Sequence, residues 1–261
     1  MTRTIPASLA PVLEQLELEQ ADLVTMSRLD ELVRSAGVGT QTRTVAARLR
    51  ERGWLLSTGQ RGVWEFAPAA VAGAYSRGGP TRLLRAALAR TAIPCGLTFQ
   101  AAAWALGLAD RAPGRVEVAA ADDRSAAQLP AALDVSVFMP QLPYGTAKGV
   151  PVLRPASVLT HMAATPTRVR SWASALEWLP EVAAEATEDD VLAELDARAA
   201  TVSARLGYLI QGLRPDIAAR IIGPKTKTWF GRRSKNLRHD SRWQIADTLL
   251  PFDPRALEPV S

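Results

Sequence analysis

The sequence is poor in the residues that carry covalent or metal-based chemistry. Of its 261 residues one is a cysteine, Cys95, and two are histidines, His161 and His239. A lone cysteine excludes an intrachain disulfide and points to a reducing compartment. Cys95 lies between Pro94 and Gly96 with no basic neighbour, so it reads as a small buried residue rather than a nucleophile. The histidines stand far apart with no cysteine beside either, which leaves no structural zinc set. Long apolar runs are missing as well. The longest near-apolar stretch, Ala101 to Ala109, falls far short of the roughly 20 residues a membrane span needs. Met1-Thr-Arg-Thr-Ile-Pro6 opens no apolar export segment, so a cytoplasmic chain without membrane association is expected. Phosphate-cradling glycine loops are absent, as is a Gly-Ser followed by paired acids of the kind nucleotidyltransferases use. Glu117, Asp122 and Asp123 have no Glu-x-Lys partner with which to hold a divalent cation, and Glu188-Asp-Asp190 sit at a predicted helix start where capping accounts for them. No catalytic residue, metal or cofactor is assigned, and the chain is read as a non-enzyme.

What is present suits a globular protein: 48% apolar and 22% charged residues, enough length for two domains of ~100–150 residues each. The formal net charge of +5 and a pI near 9.9 favour acidic partners over basic ones.

The N-terminal pattern is the most informative. Leu9, Val12, Leu13 and Leu16 recur at helical spacing after Pro6. Asp22 to Val24 is a short apolar stretch. Thr25 can cap a second helix whose stripe is Leu29, Leu32 and Val33, and Gly37 stands where a left-handed glycine ends one. After the Val38-Gly39 turn, Thr40 or Thr42 opens a third helix through Arg52, with Val45, Leu49 and the stem of Arg52 on the buried side; Gly53 ends it. Two helices joined by a glycine-bearing turn make a helix-turn-helix. The β-prone runs Trp54 to Thr58 and Val63 to Ala67 flank Gly59-Gln-Arg-Gly62, a hairpin placed where a wing would be.

Helical phase turns Arg43, Thr44, Ala47, Arg50 and Glu51 away from the core. Ala47, small and central, lets the helix axis approach base edges, and Arg43 is the candidate guanine contact because a guanidinium can bond O6 and N7 together. Thr40, Gln41 and Thr42 stand at the helix N-terminus, whose N–H groups favour a phosphate. Arg48, Arg52 and Arg61 read as phosphate clamps, with Gln60 beside Arg61 on the wing. Between Thr40 and Arg61 there are five arginines against one acid, Glu51. These features predict a winged helix-turn-helix over residues 1–75 that binds double-stranded DNA through helix 40–52 and wing 54–67. A solvated charged face, or a winged helix that docks a protein, is the competing reading.

The small and proline-rich Ala67 to Pro80 segment is the expected hinge. Residues 81–261 read as a mixed α+β domain, so the fold class is α+β. Helices are expected over Leu83 to Ile93, Thr98 to Leu106, Pro155 to Ala164, Arg168 to Leu179, Thr187 to Leu213 and Pro215 to Ile222. Strands are expected over Arg115 to Ala119, Asp134 to Phe138, Val150 to Leu153, Thr226 to Phe230 and Trp243 to Leu250. Near the C-terminus Lys225, Lys227, Arg232, Arg233, Lys235, Arg238 and Arg242 interleave with Trp229, Phe230 and Trp243. Such a segment is a candidate second nucleic-acid surface, since arginine beside an aromatic plane suits phosphates and bases; a basic solvated loop with its aromatics buried is the alternative.

The order of several blocks resembles the AbiEi family, the antitoxin half of bicistronic type IV toxin–antitoxin systems, in its actinobacterial branch. The blocks are Val38 to Trp54, Gly62 to Ala67, Thr98 to Leu108 with its Leu-Gly-Leu end, Pro155 to Leu159, and Ala204 to Leu209. The resemblance implies a transcriptional autorepressor that binds inverted repeats in its own promoter. It also implies a functional partner, an AbiEii-type nucleotidyltransferase toxin, counteracted without a stable complex. In the family the winged helix reads DNA; Arg43, Arg48, Arg50 and Arg61 occupy that region here. Some relatives carry a nuclease-like C-terminal domain instead, so a DNA-targeted nuclease is the other alternative, and the missing Glu-x-Lys speaks against it.

Overall fold

The computed structural model describes residues 7–69, 79–224, 226–234 and 238–260. The chain divides into two compact units, one of Met1–Ile93 with Gln128–Ala132 and one of Pro94–Ala127 with Leu133–Ser261.

The first unit begins with α1 (Ala10–Glu19), β1 (Leu23–Thr25), α2 (Met26–Ser35) and α3 (Thr42–Glu51), followed by the hairpin β2 (Leu55–Ser57) and β3 (Val63–Phe66). β3 lies between β1 and β2, antiparallel to both, so a strand too short to stand out in the sequence completes a three-stranded sheet. Thr25 caps α2 by accepting the Arg28 N–H at 3.2 Å. Both helices of the pair then stop in the same way. Gly37 and Gly53 adopt φ of +62° and +73°, and the next residue reaches back to the last turn, Val38 N–H to Val33 O at 3.1 Å and Trp54 N–H to Leu49 O at 2.9 Å.

One core serves all of these elements. Leu9, Val12, Leu13 and Leu16 meet Leu29, Leu32 and Val33 of α2, Val45, Ala46 and Leu49 of α3, and Trp54, Leu55, Trp64 and Phe66 of the hairpin. Each fully buried Val, Leu or Phe among them contributes about 1.5–3 kcal/mol. The expected inner stripe of α3 is corrected at one position. The helix ends at Glu51, so Arg52 becomes its C-cap and is exposed, while Ala46 takes the third inward place.

The helix expected over Leu83 to Ile93 is shorter, α4 (Arg82–Leu88), and it belongs to the first unit, whereas the sequence reading opens the second domain at 81. Two ion pairs explain the difference: Arg82 to Glu65 of β3 at 3.1 Å, and Arg85 to Asp22, just before β1, at 2.7 Å. Most of the expected hinge, 70–78, lies outside the described residues.

The second unit runs β4 (Cys95–Leu97), α5 (Phe99–Leu106), β5 (Glu117–Ala120), α6 (Asp123–Ala127), β6 (Asp134–Val137), β7 (Gly145–Ala147), β8 (Val150–Val152) and α7 (Pro155–Ala164). Its sheet has the order β6-β5-β4-β8-β7, with β5–β6 and β4–β8 parallel. Eight of the ten residues of α7 are buried, and α5 packs against it together with helices that follow it in the chain. Of the helix expected over Arg168 to Leu179 only the short α8 (Trp172–Ala175) forms, capped by Ser171, and a further helix, α9 (Leu179–Ala184), begins at its expected end with Pro180 in its first turn. The stretch from Thr187 to Leu213 divides into α10 (Glu188–Leu195) and α11 (Ala200–Ile210). Thr187 caps α10 as expected, taking the Asp190 N–H at 3.2 Å. After α12 (Pro215–Arg220), a small sheet of β9 (Thr228–Phe230), β10 (Arg238–Asp240) and β11 (Ile245–Asp247) closes the chain in the order β10-β11-β9. This sheet rests on α11 at Gly207, where an added Cβ would stand 2.1 Å from the Trp243 ring. The architecture is mixed α+β throughout.

Candidate nucleic-acid interface

α3 is mounted rigidly before it presents anything outward. Val45, Ala46 and Leu49 seat it in the core. Thr42, its first residue, donates its hydroxyl to Asp30 of α2 at 2.6 Å, and Arg34 donates to the same carboxylate at 3.1 Å. The Thr42 bond, with Arg34 next, holds the Asp30 carboxyl below its ordinary range. Thr42 is therefore half-buried and engaged within the protein through its side chain. Gln41 is the N-cap and offers no side-chain bond to the leading N–H groups.

The hairpin loop is equally well held. The Thr58 hydroxyl, 3% exposed, donates to Val63 O at 2.8 Å and accepts the Gln60 N–H at 3.2 Å. Gly59 and Gly62 turn the chain at φ of +79° and +77°, a conformation that costs other residues about 1–2 kcal/mol. The Met26 N–H donates to Gly62 O at 2.8 Å, which ties the loop to the start of α2.

Between this helix and this loop lies an open groove of about 820 Å³. Arg43, Ala47 and Arg50, at i, i+4 and i+7, form its helical wall; Gln60 and Arg61 form the other; Met26 and Trp64 floor it. A further arginine, Arg90, also lines it. None of the lining residues is acidic. Among the described residues, no ion pair engages Arg43, Arg50, Arg61 or Arg90. Four guanidinium groups thus share one concavity without internal neutralisation, which makes it a place where an anion would be favoured.

The remaining expected contacts are arranged around the groove rather than in it. Thr44, Arg48 and Arg52 are exposed, and Thr40 is half-buried ahead of the helix. Arg90 went unseen because it follows α4, far along the chain, and carries no local motif.

The C-terminal basic segment is divided. Lys225 and Lys235 lie outside the described residues. Arg238 is drawn inward, donating to Asp247 at 2.7 Å and to Phe252 O at 2.6 Å. Arg242 donates to Ala218 O at 3.0 Å and stacks over Trp243. Lys227 and Arg233 flank the half-buried Trp229 at 5.8 and 5.7 Å from its ring centre, and Arg232 is exposed nearby.

Several buried polar groups of the second unit are occupied structurally. His161, 0% exposed, lies between the rings of Phe99 and Phe138 and bonds Thr98 Oγ1 at 2.8 Å and Ser136 Oγ at 3.2 Å. Burial, with Arg198 and Arg168 nearby, drives it down to about 3, so the ring is neutral. Thr98 is consequently no side-chain cap for α5: its hydroxyl is used on His161. Glu194 accepts from Ser157, from the N–H groups of Gln141 and Leu142, and from Arg198. Cys95 is buried, which pushes its thiol up to about 11. Among the described residues, no group of three or more His, Cys, Asp or Glu could hold a metal ion, and no helix is long and apolar enough to cross a membrane.

Residues 92–212 match the family model of the AbiEi antitoxin C-terminal domain. This segment belongs to the AbiEi antitoxin family. It includes the Thr98, Pro155 and Ala204 blocks of the resemblance, while the Val38 and Gly62 blocks lie outside it. The match supports an antitoxin role in a toxin–antitoxin system. The crystal structure of the RV2827C protein from Mycobacterium tuberculosis is similar over 95% of this chain and 94% of that one, with 24% identity and a TM-score of 0.78. At that identity the likeness shows the fold alone. No curated protein matches the chain.

Proposed function

We propose that the first unit is a winged helix-turn-helix that binds duplex DNA, and that the protein is the autorepressing antitoxin of an AbiE-like pair. The groove carries this reading: arginines of α3 and of the hairpin loop face one concavity from both sides, and no acid opposes them. An α-helix fits the major groove of B-DNA, and an adjacent β-ribbon reaches the neighbouring backbone. Arg43, at the start of α3, would read guanine; Arg61 on the wing, with Arg48, Arg50 and Arg52, would clamp phosphates. Thr42 would contribute its backbone rather than its hydroxyl. The antitoxin family match supports a regulator rather than an enzyme, and the protein would act in the cytoplasm. Its operator would be inverted repeats upstream of its own gene. The functional partner would be an AbiEii-type nucleotidyltransferase toxin, opposed without a stable complex.

The test is fluorescence anisotropy with duplex from upstream of the gene and with random duplex, at several salt concentrations. The full chain is expected to prefer its own duplex. Arg43→Ala should reduce that preference, and Arg61→Ala should make log K against log salt shallower by about 0.9 for either duplex. Absence of salt-dependent binding to both duplexes would refute the reading.

A further inference from the structure

The geometry points to Arg90 as a phosphate contact and to α4 as the strut that brings it to the DNA, so that the DNA-binding unit extends to Ile93. The inference rests on the duplex-binding reading above and adds to it a contact from an element outside the helix-turn-helix and its hairpin.

Three arginines mark α4 and its end, and they are used differently. Arg82 points at Glu65, a β3 carboxylate only 3% exposed, and pairs with it at 3.1 Å. Arg85 pairs with Asp22, just before β1, at 2.7 Å. The first bond fastens α4 to β3, which carries the hairpin loop, and the second to the residue just before β1, which pairs with β3. Leu84, Ala86 and Ala87 are buried along the same helix, so it is held by packing as well. Arg90 follows the last turn, is exposed, and lines the groove that Arg43, Arg50 and Arg61 line. Among the described residues no acid pairs with it. A guanidinium without an acidic partner that lines the same groove as three others adds to a positive field that favours an anion.

The shape says which anion. When a helix occupies the major groove and a hairpin grips the strand beside it, one sugar-phosphate strand has to run between them. The space between α3 and the hairpin loop is this groove, and its cations stand on more than one side of it. A phosphodiester backbone supplies one charge per nucleotide at regular spacing, which suits several separate guanidiniums better than a single small anion does.

The experiment measures binding of the full chain, Arg90→Ala and Arg90→Lys to the upstream duplex and to random duplex between 50 and 200 mM salt. Arg90→Ala is expected to lower the salt slope by about 0.9, so its deficit relative to the parent shrinks roughly 3-fold across that range. The loss should be the same on both duplexes, because a phosphate contact reads no sequence. Arg90→Lys should restore the slope. If Arg90→Ala binds with an unchanged slope, whether or not affinity falls, the contact is refuted and the duplex-binding reading survives. If the parent chain binds neither duplex, both fall together.

Discussion

At the residue scale, the protein separates side chains that hold the fold from side chains that face outward, often within one turn of helix. Leu49 and Arg50 are the sharpest case. Leu49 is wholly buried among the residues of the first core, and Arg50 lines the groove. Leu49→Ala should destabilise the protein by about 3 kcal/mol through lost burial and the cavity it leaves. Arg50→Ala should change stability by less than about 0.5 kcal/mol. Urea unfolding of both variants checks the pair, and a comparable loss in the two would mean that Arg50 has an internal structural role. The buried face of α3 was readable because hydrophobic spacing is a local signal. The one error, Arg52, arose at the helix end, where the chain leaves the helical phase one residue earlier than the periodicity suggests.

At the scale of elements, the orientation of α3 depends on a bond between helices. Thr42 is the first residue of α3 and Asp30 is the fifth residue of α2, so their hydrogen bond ties the start of α3 to the middle of α2. Asp30→Ala and Thr42→Val should each weaken binding to the upstream duplex while leaving the salt slope unchanged, because no phosphate contact is removed. The double variant should be no weaker than the worse single one, since both remove the same bond. Strictly additive losses would show that the two residues act separately. The sequence places Thr42 on the DNA side because it stands at a helix start, whose N–H groups favour a phosphate. Its commitment to Asp30 depends on how two helices cross, which spacing along one chain does not report. The hairpin was legible for the opposite reason: Gly59 and Gly62 bracket a turn whose left-handed backbone only glycine adopts freely, and that requirement is written locally. β1, three residues long, has too little pattern to be seen except through its pairing with β3.

At the scale of the whole molecule, stability should carry the mark of two buried groups in the second unit with opposite pH behaviour. Glu117, in β5, is raised from 4.5 to about 7 by burial, even though it accepts the Ala101 N–H. The folded state therefore binds its proton more tightly than the unfolded chain does, and its contribution to stability is lost as pH rises from 4.5 towards 7. His161, depressed from 6.5 to about 3, does the reverse: its folded state excludes a proton, so stability is lost as pH falls from 6.5 towards 3. Between 4.5 and 6.5 the two slopes oppose each other. Glu117→Gln should remove one of them and leave a melting temperature that rises with pH more steeply than in the parent across that window. An identical profile in the two proteins would mean that the carboxyl does not titrate there.

Local spacing, capping chemistry and glycine placement determined the helix pair, its caps, the hairpin and the outward face of α3, because each of these is settled by interactions within a few residues. The same local signals predicted a long helix where only the short α8 stands and one helix where α10 and α11 stand, since long-range packing decides whether a periodic stretch continues or breaks. Tertiary structure alone decided that β1 closes the first sheet, that α4 joins the first unit through Arg82 and Arg85, and that Arg90 meets Arg43, Arg50 and Arg61 at one groove. It also gave Arg238 and Arg242 of the basic segment internal carboxylate and carbonyl partners. Charge can be counted along a chain. Which charges stand together and unpaired depends on how the elements pack, and here that packing is what turns scattered arginines into a single surface.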